Sequence, residues 1–289
     1  MELPGTCSVC DIRQAKYYRA SSGEKLCDRC LFRLLERSMA KTLGRAAARE
    51  DSRFAVPITS FSPSSSMLAA KVLAHVERKF KSKVYVLLPS FYRGLENFLE
   101  GLPQPAEVVN VAVDPPPPES SGIISCVRYD RSWSLRASEQ LGVDIIVMPL
   151  ARTTSTLVLL ESLMTDGGIG RTESLEVLTV GKVKVVNAFY RLEDEAVRAA
   201  EFLEGFSEVR PACRATITVK GIYLSVAGRP ELDHSSEELI ERLAASVTST
   251  CPVCGGASEG GVCRYCKAMG LEGLRVNVGP RPVGPGPGY

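Results

Sequence analysis

The sequence predicts an α/β protein: a parallel five-stranded sheet covered by helices on both faces, with a small zinc module at each end. Three observations carry that expectation. Between about Asp51 and Gly205, short β-branched runs alternate with helical stretches, the rhythm of strand–helix–strand units. Each end of the chain carries a doubled CxxC. Between the first doubled CxxC and the sheet runs a helix with a cation at every fourth position.

In the stretch "CSVCDIRQAKYYRASSGEKLCDRC", Cys7 and Cys10 form one CxxC, and Cys27 and Cys30 form another after sixteen residues. A CxxC lets two sulfurs reach one ion through a tight turn, and a second pair completes the tetrahedron that zinc prefers, with Zn–S of about 2.3 Å. "CPVCGGASEGGVCRYC" repeats the pattern with Cys251, Cys254, Cys263 and Cys266 around a glycine-rich loop of eight residues. The chain has ten cysteines and two histidines, so any metal site is built of thiolate and histidine-based catalysis has little material. Chance clustering of buried cysteines and a redox pair are the competing readings, although redox chemistry needs only one CxxC. Four thiolates leave no open coordination position, which marks both sites as structural. Neither segment has the apolar residues for its own core, so metal supplies much of its folding energy.

From Leu31 the chain reads "LFRLLERSMAKTLGRAAARE". Arg33, Arg37, Lys41, Arg45 and Arg49 fall in one slowly drifting stripe of a helix, and Leu31, Leu34, Leu35, Met39 and Leu43 line its other side. A solvated face is the ordinary reading of such a run. Against it, Glu36 is the only acid between Arg33 and Arg49. Five cations along about 24 Å of helix suit a row of phosphates, which predicts a nucleic-acid contact.

The strands of the sheet are expected at Arg53–Thr59, Lys83–Leu88, Glu107–Val113, Val143–Pro149 and Lys182–Phe189, and the helices at Ser64–Phe80, Tyr92–Glu100, Arg131–Leu141, Thr154–Met164 and Leu192–Glu204. Near-continuous apolar strands of this kind belong to a parallel sheet buried on both faces. Ligands of such sheets bind beyond the carboxyl ends of the strands, which directs attention to "ITSFSPSSSMLAAKVL" after the first strand. "DPPPPESSG" reads as a stiff loop, Ala215–Ala227 as a hairpin outside the sheet, and Ser235–Val247 as a capped helix. The expected organisation is a zinc module over 1–32, a basic linker helix over 33–50, the α/β domain over 51–206, a hairpin-and-helix connection over 207–248, a zinc ribbon over 249–272 and a disordered tail over 273–289. Trp133 and His75 are read as ordinary core or surface residues.

Charged residues make up 24% and hydrophobic ones 45%, the balance of a soluble globular protein. A net charge of +2 means that any basic surface must be local. No apolar run approaches the ~18 residues that span a membrane. "MELPGTCSVC" lacks the regions of a signal peptide, so the expected location is cytoplasmic with no membrane partner.

The layout of doubled CxxC, basic helix, α/β domain and CxxCG…CxxC ribbon resembles the archaeal and eukaryotic tRNA 2-thiouridine synthetases, which belong to the PP-loop ATP pyrophosphatases. The likeness runs from Cys7 to Cys266 and is most specific in "YYRASSGEKLCDRCLFRLLERSMAKTL" and in the C-terminal ribbon. It implies an adenine-nucleotide alpha-hydrolase-like (PP-loop, HUP-type) core. Family members hold ATP on SGGxDS after the first strand. Here Phe61, Ser62, Pro63, Ser64, Ser65 and Ser66 occupy those places, and only the last serine matches. Pro63 lacks an N–H donor. A second family motif, GHNxDDxA, corresponds to "MPLARTTS" (Met148–Ser155), with Arg152 and Thr153 where paired acids belong. The loop thus leaves ATP doubtful: its serines offer a phosphate only hydroxyls and the helix dipole.

Relatives of this kind also carry three mid-domain cysteines that hold an iron–sulfur cluster or carry sulfur. Only Cys126 and Cys213 correspond here, which argues against an iron–sulfur cluster and leaves two buried inert thiols or a persulfide-carrying pair. The cofactors expected are therefore two structural zinc ions alone. The resemblance implies a tRNA-binding, non-catalytic or strongly diverged member that supports an active paralogue in uridine thiolation. Its expected partners are tRNA, a second copy or the paralogue as dimer, and a ubiquitin-like sulfur carrier. The alternatives are an active ATP-dependent tRNA sulfurtransferase with an altered loop, using Cys126 or Cys213, and a zinc-stabilised interaction protein.

Overall fold

The computed structural model describes residues 5–92, 94, 95, 99, 101–117, 122–206, 209–213, 239, 240, 242, 247 and 249–279. The expected hairpin over 215–227 and the chain beyond 279 lie outside these residues, as do most of the expected helices over 92–100 and 235–247.

Two short antiparallel strands, β1 (Tyr17–Arg19) and β2 (Glu24–Leu26), form the body of the N-terminal module. Helix α1 (Asp28–Arg45) begins at the residue after Cys27 and contains Cys30. The basic helix is therefore an extension of the cysteine module, not a separate linker starting at residue 33. Its apolar seam is buried as Leu31, Leu35, Met39 and Leu43.

Among the described residues the central sheet has seven strands: β3 (Arg53–Pro57), β4 (Lys83–Pro89), β5 (Ala106–Ala112), β6 (Ile145–Ala151), β7 (Val177–Val180), β8 (Val183–Phe189) and β9 (Asn277–Gly279). Their order is β7-β8-β6-β3-β4-β5-β9. The five inner strands run parallel, as the sequence predicts. The two edges pair antiparallel and were not foreseen, because runs of three or four residues are too short to show alternation. β9 also places Asn277–Gly279 inside the sheet rather than in the expected disordered tail.

Alternate residues of each strand face opposite sides. Phe54, Val56 and Ile58 lie in one core with Leu35 and Met39 of α1 and with Leu68 and Leu73 of α2 (Pro63–Glu77). Ala55, Ile146, Met148 and Val185 lie in the other, with Tyr129 and Trp133 of α3 (Ile123–Leu141). The two cysteine modules are divided in the same way. Cys7, Cys27 and Cys30 belong to the first core, and Cys251, Cys254, Cys263 and Cys266 to the second. Strand β6, next to β3, is buried along all seven residues, as a strand covered on both faces must be.

Helix α3 begins at Ile123, eight residues before the expected Arg131. Its first turns bury Arg128, Asp130 and Arg131, polar residues that conceal the apolar period in the sequence. It ends on Gly142 in the left-handed conformation, φ 64°, where a side chain would be strained. Helices α4 (Arg152–Thr165) and α5 (Asp194–Leu203) follow β6 and β8, and a short α6 (Arg264–Ala268) closes the C-terminal module.

Candidate functional site

Parallel connections leave β3 toward β4 on one side, while β6 lies on its other side. The strand order reverses there, and the crevice beyond β3 and β6 is where such sheets bind ligands. It holds a cavity of about 230 Å³ lined by Phe61 and Ser62 from the β3 loop, Ser65 from the start of α2, Leu150 from the end of β6, Thr154 from the start of α4, and Asp194, Arg198 and Glu201 from α5. Ligand pockets usually measure ~300–1,000 Å³, so this cavity lies just below the usual range.

The hydrogen bonds explain the small volume. The N–H groups of Ser60 and Phe61 in the β3 loop turn inward to Asp130. Ser60 donates both its N–H and its hydroxyl to the Asp130 carboxylate, each at 2.8 Å, and Trp133 Nε1–H donates at 3.0 Å. The Phe61 N–H adds a further donor. Complete burial pushes the Asp130 carboxyl up to about 7 against these donors. The same loop is held from behind: the Tyr92 hydroxyl lies within bonding distance of the Thr59 and Ser60 carbonyls, at 3.2 and 3.1 Å.

The serines of the loop are likewise engaged within the protein. Thr59 donates its N–H to Ser66 Oγ at 3.0 Å, and Ser66 Oγ donates to the Ser62 carbonyl at 2.9 Å. Ser62 Oγ donates to Ser65 Oγ at 2.7 Å, and Ser65 Oγ donates in turn to Glu201. Ser64 lies half-exposed in the first turn of α2. Pro63 stands at the start of that helix, where a missing N–H costs nothing and a fixed φ favours the turn.

The second crevice motif has the same character. Thr154 donates its N–H and hydroxyl to Asp194, at 3.1 and 2.6 Å. Arg152 turns away, donating to the Arg191 carbonyl at 3.0 Å, and Thr153 is buried. Burial raises the pKa of both Asp194 and Glu201. The start of α4 thus has a carboxylate of the chain at one of its free N–H groups, that of Thr154.

Cys126 and Cys213 are joined by a disulfide with a Cα–Cα distance of 6.0 Å. This corrects the expectation of two separate inert thiols. The pair lies against the loop, since the Cys213 N–H donates to the Ser60 carbonyl at 2.9 Å and the Ala212 N–H to the Tyr92 hydroxyl at 3.1 Å.

Both doubled CxxC motifs close into clusters. The four sulfurs of Cys7, Cys10, Cys27 and Cys30, and those of Cys251, Cys254, Cys263 and Cys266, lie within 4.8 Å of one another. Tetrahedral ligation at about 2.3 Å places sulfurs about 3.8 Å apart; Cys10–Cys27 and Cys254–Cys263 are each at 3.9 Å. These sets could hold zinc. In the C-terminal turn, Gly255 has φ 71° and approaches Val180 so closely that a Cβ would lie 2.3 Å from its Cγ2, so only glycine fits.

Beneath the C-terminal cluster sits a buried charge network that the sequence did not reveal. Arg128 donates to Glu173 at 3.1 and 3.2 Å and to the Ala257 carbonyl at 3.2 Å. Arg131 pairs with the same carboxylate and donates to the Cys254 carbonyl. Burial would raise the Glu173 pKa, but the two guanidiniums hold it below the ordinary value. In sequence, "RYDR" looks like a solvated charge run, so nothing marks Arg128, Asp130 and Arg131 as buried.

Arg33, Arg37, Lys41 and Arg45 lie on α1, whereas the helix ends at Arg45 and Arg49 stands beyond the turn that follows, off the expected helical stripe. All five are exposed, yet they are not equally free. Arg45 pairs with Glu176 at 2.7 Å and Arg49 with Asp51 at 3.7 Å, acids contributed from outside the stripe. Arg33, Arg37 and Lys41 have no ion-pair partner among the described residues.

No family model matches the sequence, and no curated protein does. Among solved structures, the chain is similar to the U34-tRNA thiolase NcsA from Methanococcus maripaludis with its 4Fe-4S cluster, at 18% identity and a TM-score of 0.63, covering 91% of this chain and 94% of that one. The likeness shows that the two share a fold over nearly their whole lengths. It overturns the expectation against an iron–sulfur cluster, because a protein of this fold carries one and all-thiolate sets such as those present here also suit such clusters. No helix among the described residues is long and apolar enough to cross a membrane.

Proposed function

We propose that this chain is a tRNA-binding relative of the tRNA 2-thiouridine synthetases that does not activate uridine with ATP itself and supports an active paralogue in thiolation. One observation carries the reading. At the crevice where a nucleotide's phosphates would sit, Asp130 and Asp194 already take the N–H groups of Ser60 and Thr154. A phosphate entering the cavity would meet the carboxyls of Asp194 and Glu201 beside Arg198, with the Thr154 N–H and hydroxyl already engaged by Asp194. The exposed Arg33, Arg37 and Lys41 support tRNA contact along α1, with Arg45 at the end of the helix and Arg49 beyond it, each beside its acidic partner.

Calorimetric titration of ATP–Mg²⁺ into the metal-loaded chain, with and without bulk tRNA, tests the proposal. The expected result is tRNA binding with no heat from ATP. Micromolar ATP binding with AMP formation would sink it. That outcome would favour a second reading, an active sulfurtransferase, for which the meeting of Cys126 and Cys213 beside the loop is the supporting observation; Cys213→Ala would then abolish activity.

A further inference from the structure

The groove between the start of α1 and the end of α2 offers a chemistry that the stripe alone does not. It encloses about 450 Å³, within the range of small-molecule pockets. Three guanidiniums border it, those of Arg29, Arg33 and Arg78, and none has a carboxylate partner among the described residues. The acids of the groove are mostly engaged. Asp28 faces Arg13 at 3.5 Å and Glu204 pairs with Lys71. Glu36 lies 3.8 Å from His75 Nδ1, and burial lowers the His75 pKa, so Glu36 is the one acid without a fixed cation. The floor is aromatic: Phe32 and His75, both half-buried, meet edge-to-face with ring centroids 5.1 Å apart.

Cations around an aromatic floor are the combination that takes single-stranded nucleic acid, because every base has a stacking face and every linkage a phosphate. A duplex cannot use the floor, since its bases are stacked on one another. We infer that this groove binds one unpaired nucleotide of an RNA, its base against the Phe32 ring that His75 braces edge-to-face and its flanking phosphates on Arg29, Arg33 and Arg78. The inference rests on the tRNA-binding reading and adds to it a strand preference and a second helix, α2, that the stripe does not include.

The test uses the metal-loaded full chain with two fluorescent probes, a single-stranded RNA oligonucleotide and a blunt RNA duplex, titrated over a range of salt. Arg33→Glu with Arg78→Glu is expected to weaken single-strand binding at least tenfold. The slope of log affinity against log salt should fall by about 1.4, roughly 0.7 for each phosphate that is no longer neutralised. Phe32→Leu keeps an apolar side chain but removes the ring, and is expected to weaken the single strand about fivefold or more while leaving the duplex unchanged. Arg37→Glu, outside the groove, should weaken both probes alike. Equal losses for both probes in the Phe32 variant, or no loss in the double variant while tRNA still binds, would overturn the groove and leave the tRNA-binding reading standing. If the unaltered chain bound no RNA at low salt, that reading and the groove would fall together.

Discussion

Asp130 takes the N–H and the hydroxyl of Ser60 behind the β3 loop, and its protonation has a measurable consequence. Its carboxyl is raised to about 7 from the ordinary 3.8. A raised acid contributes stability that is fully present below pH 3.8 and is lost as the pH climbs through about 7. Asp130→Asn removes that loss while keeping an oxygen acceptor for Ser60. The melting temperature of the variant relative to the unaltered chain should therefore rise between about pH 4 and pH 7 and level off above it, as read by differential scanning calorimetry. A difference that stays constant across that window would show that Asp130 does not titrate there.

At the scale of the element, α3 joins two regions of the molecule. One side of its first turns carries Asp130 to the β3 loop, and another carries Arg128 and Arg131 to Glu173 and the C-terminal cluster. Leaving a buried charge unpaired costs about 3–5 kcal/mol. Glu173→Gln, which strands two buried guanidiniums, should lower the melting temperature by on the order of 10 °C. A shift under about 2 °C would mean that the arginines find other partners. This helix is also where the sequence was least legible. The parallel strands were visible because β-branched runs such as "KVYVLL" and "VDIIVMP" are long and flanked by turns, and the cysteine pairs because ligand spacing is local. Asp130 and Glu173 were hidden because their partners lie 70 and 45 residues away. The sequence likewise drew attention to Ser62 to Ser66, but not to the buried carboxylate behind the loop.

Across the whole molecule, the two cysteine clusters lie in the cores on opposite faces of one sheet. Metal binding to such sites is worth ~10–16 kcal/mol at neutral pH in small peptides, comparable with the ~5–15 kcal/mol that stabilises a whole domain. Elemental analysis of the purified chain should find metal for two four-thiolate sites. Stripping that metal with a strong chelator should abolish the cooperative calorimetric transition rather than only lower its midpoint. A metal-free chain that still melted cooperatively near the original temperature would assign the clusters a minor role in holding the sheet.

Strand β9 pairs with β5 although it is made about 165 residues later. On a ribosome adding ~5–20 residues per second, the nascent sheet would present the unpaired edge of β5 for on the order of ten to thirty seconds. An exposed edge is a template for pairing with other chains, so synthesis itself creates a window in which the edge of β5 is open to mispairing.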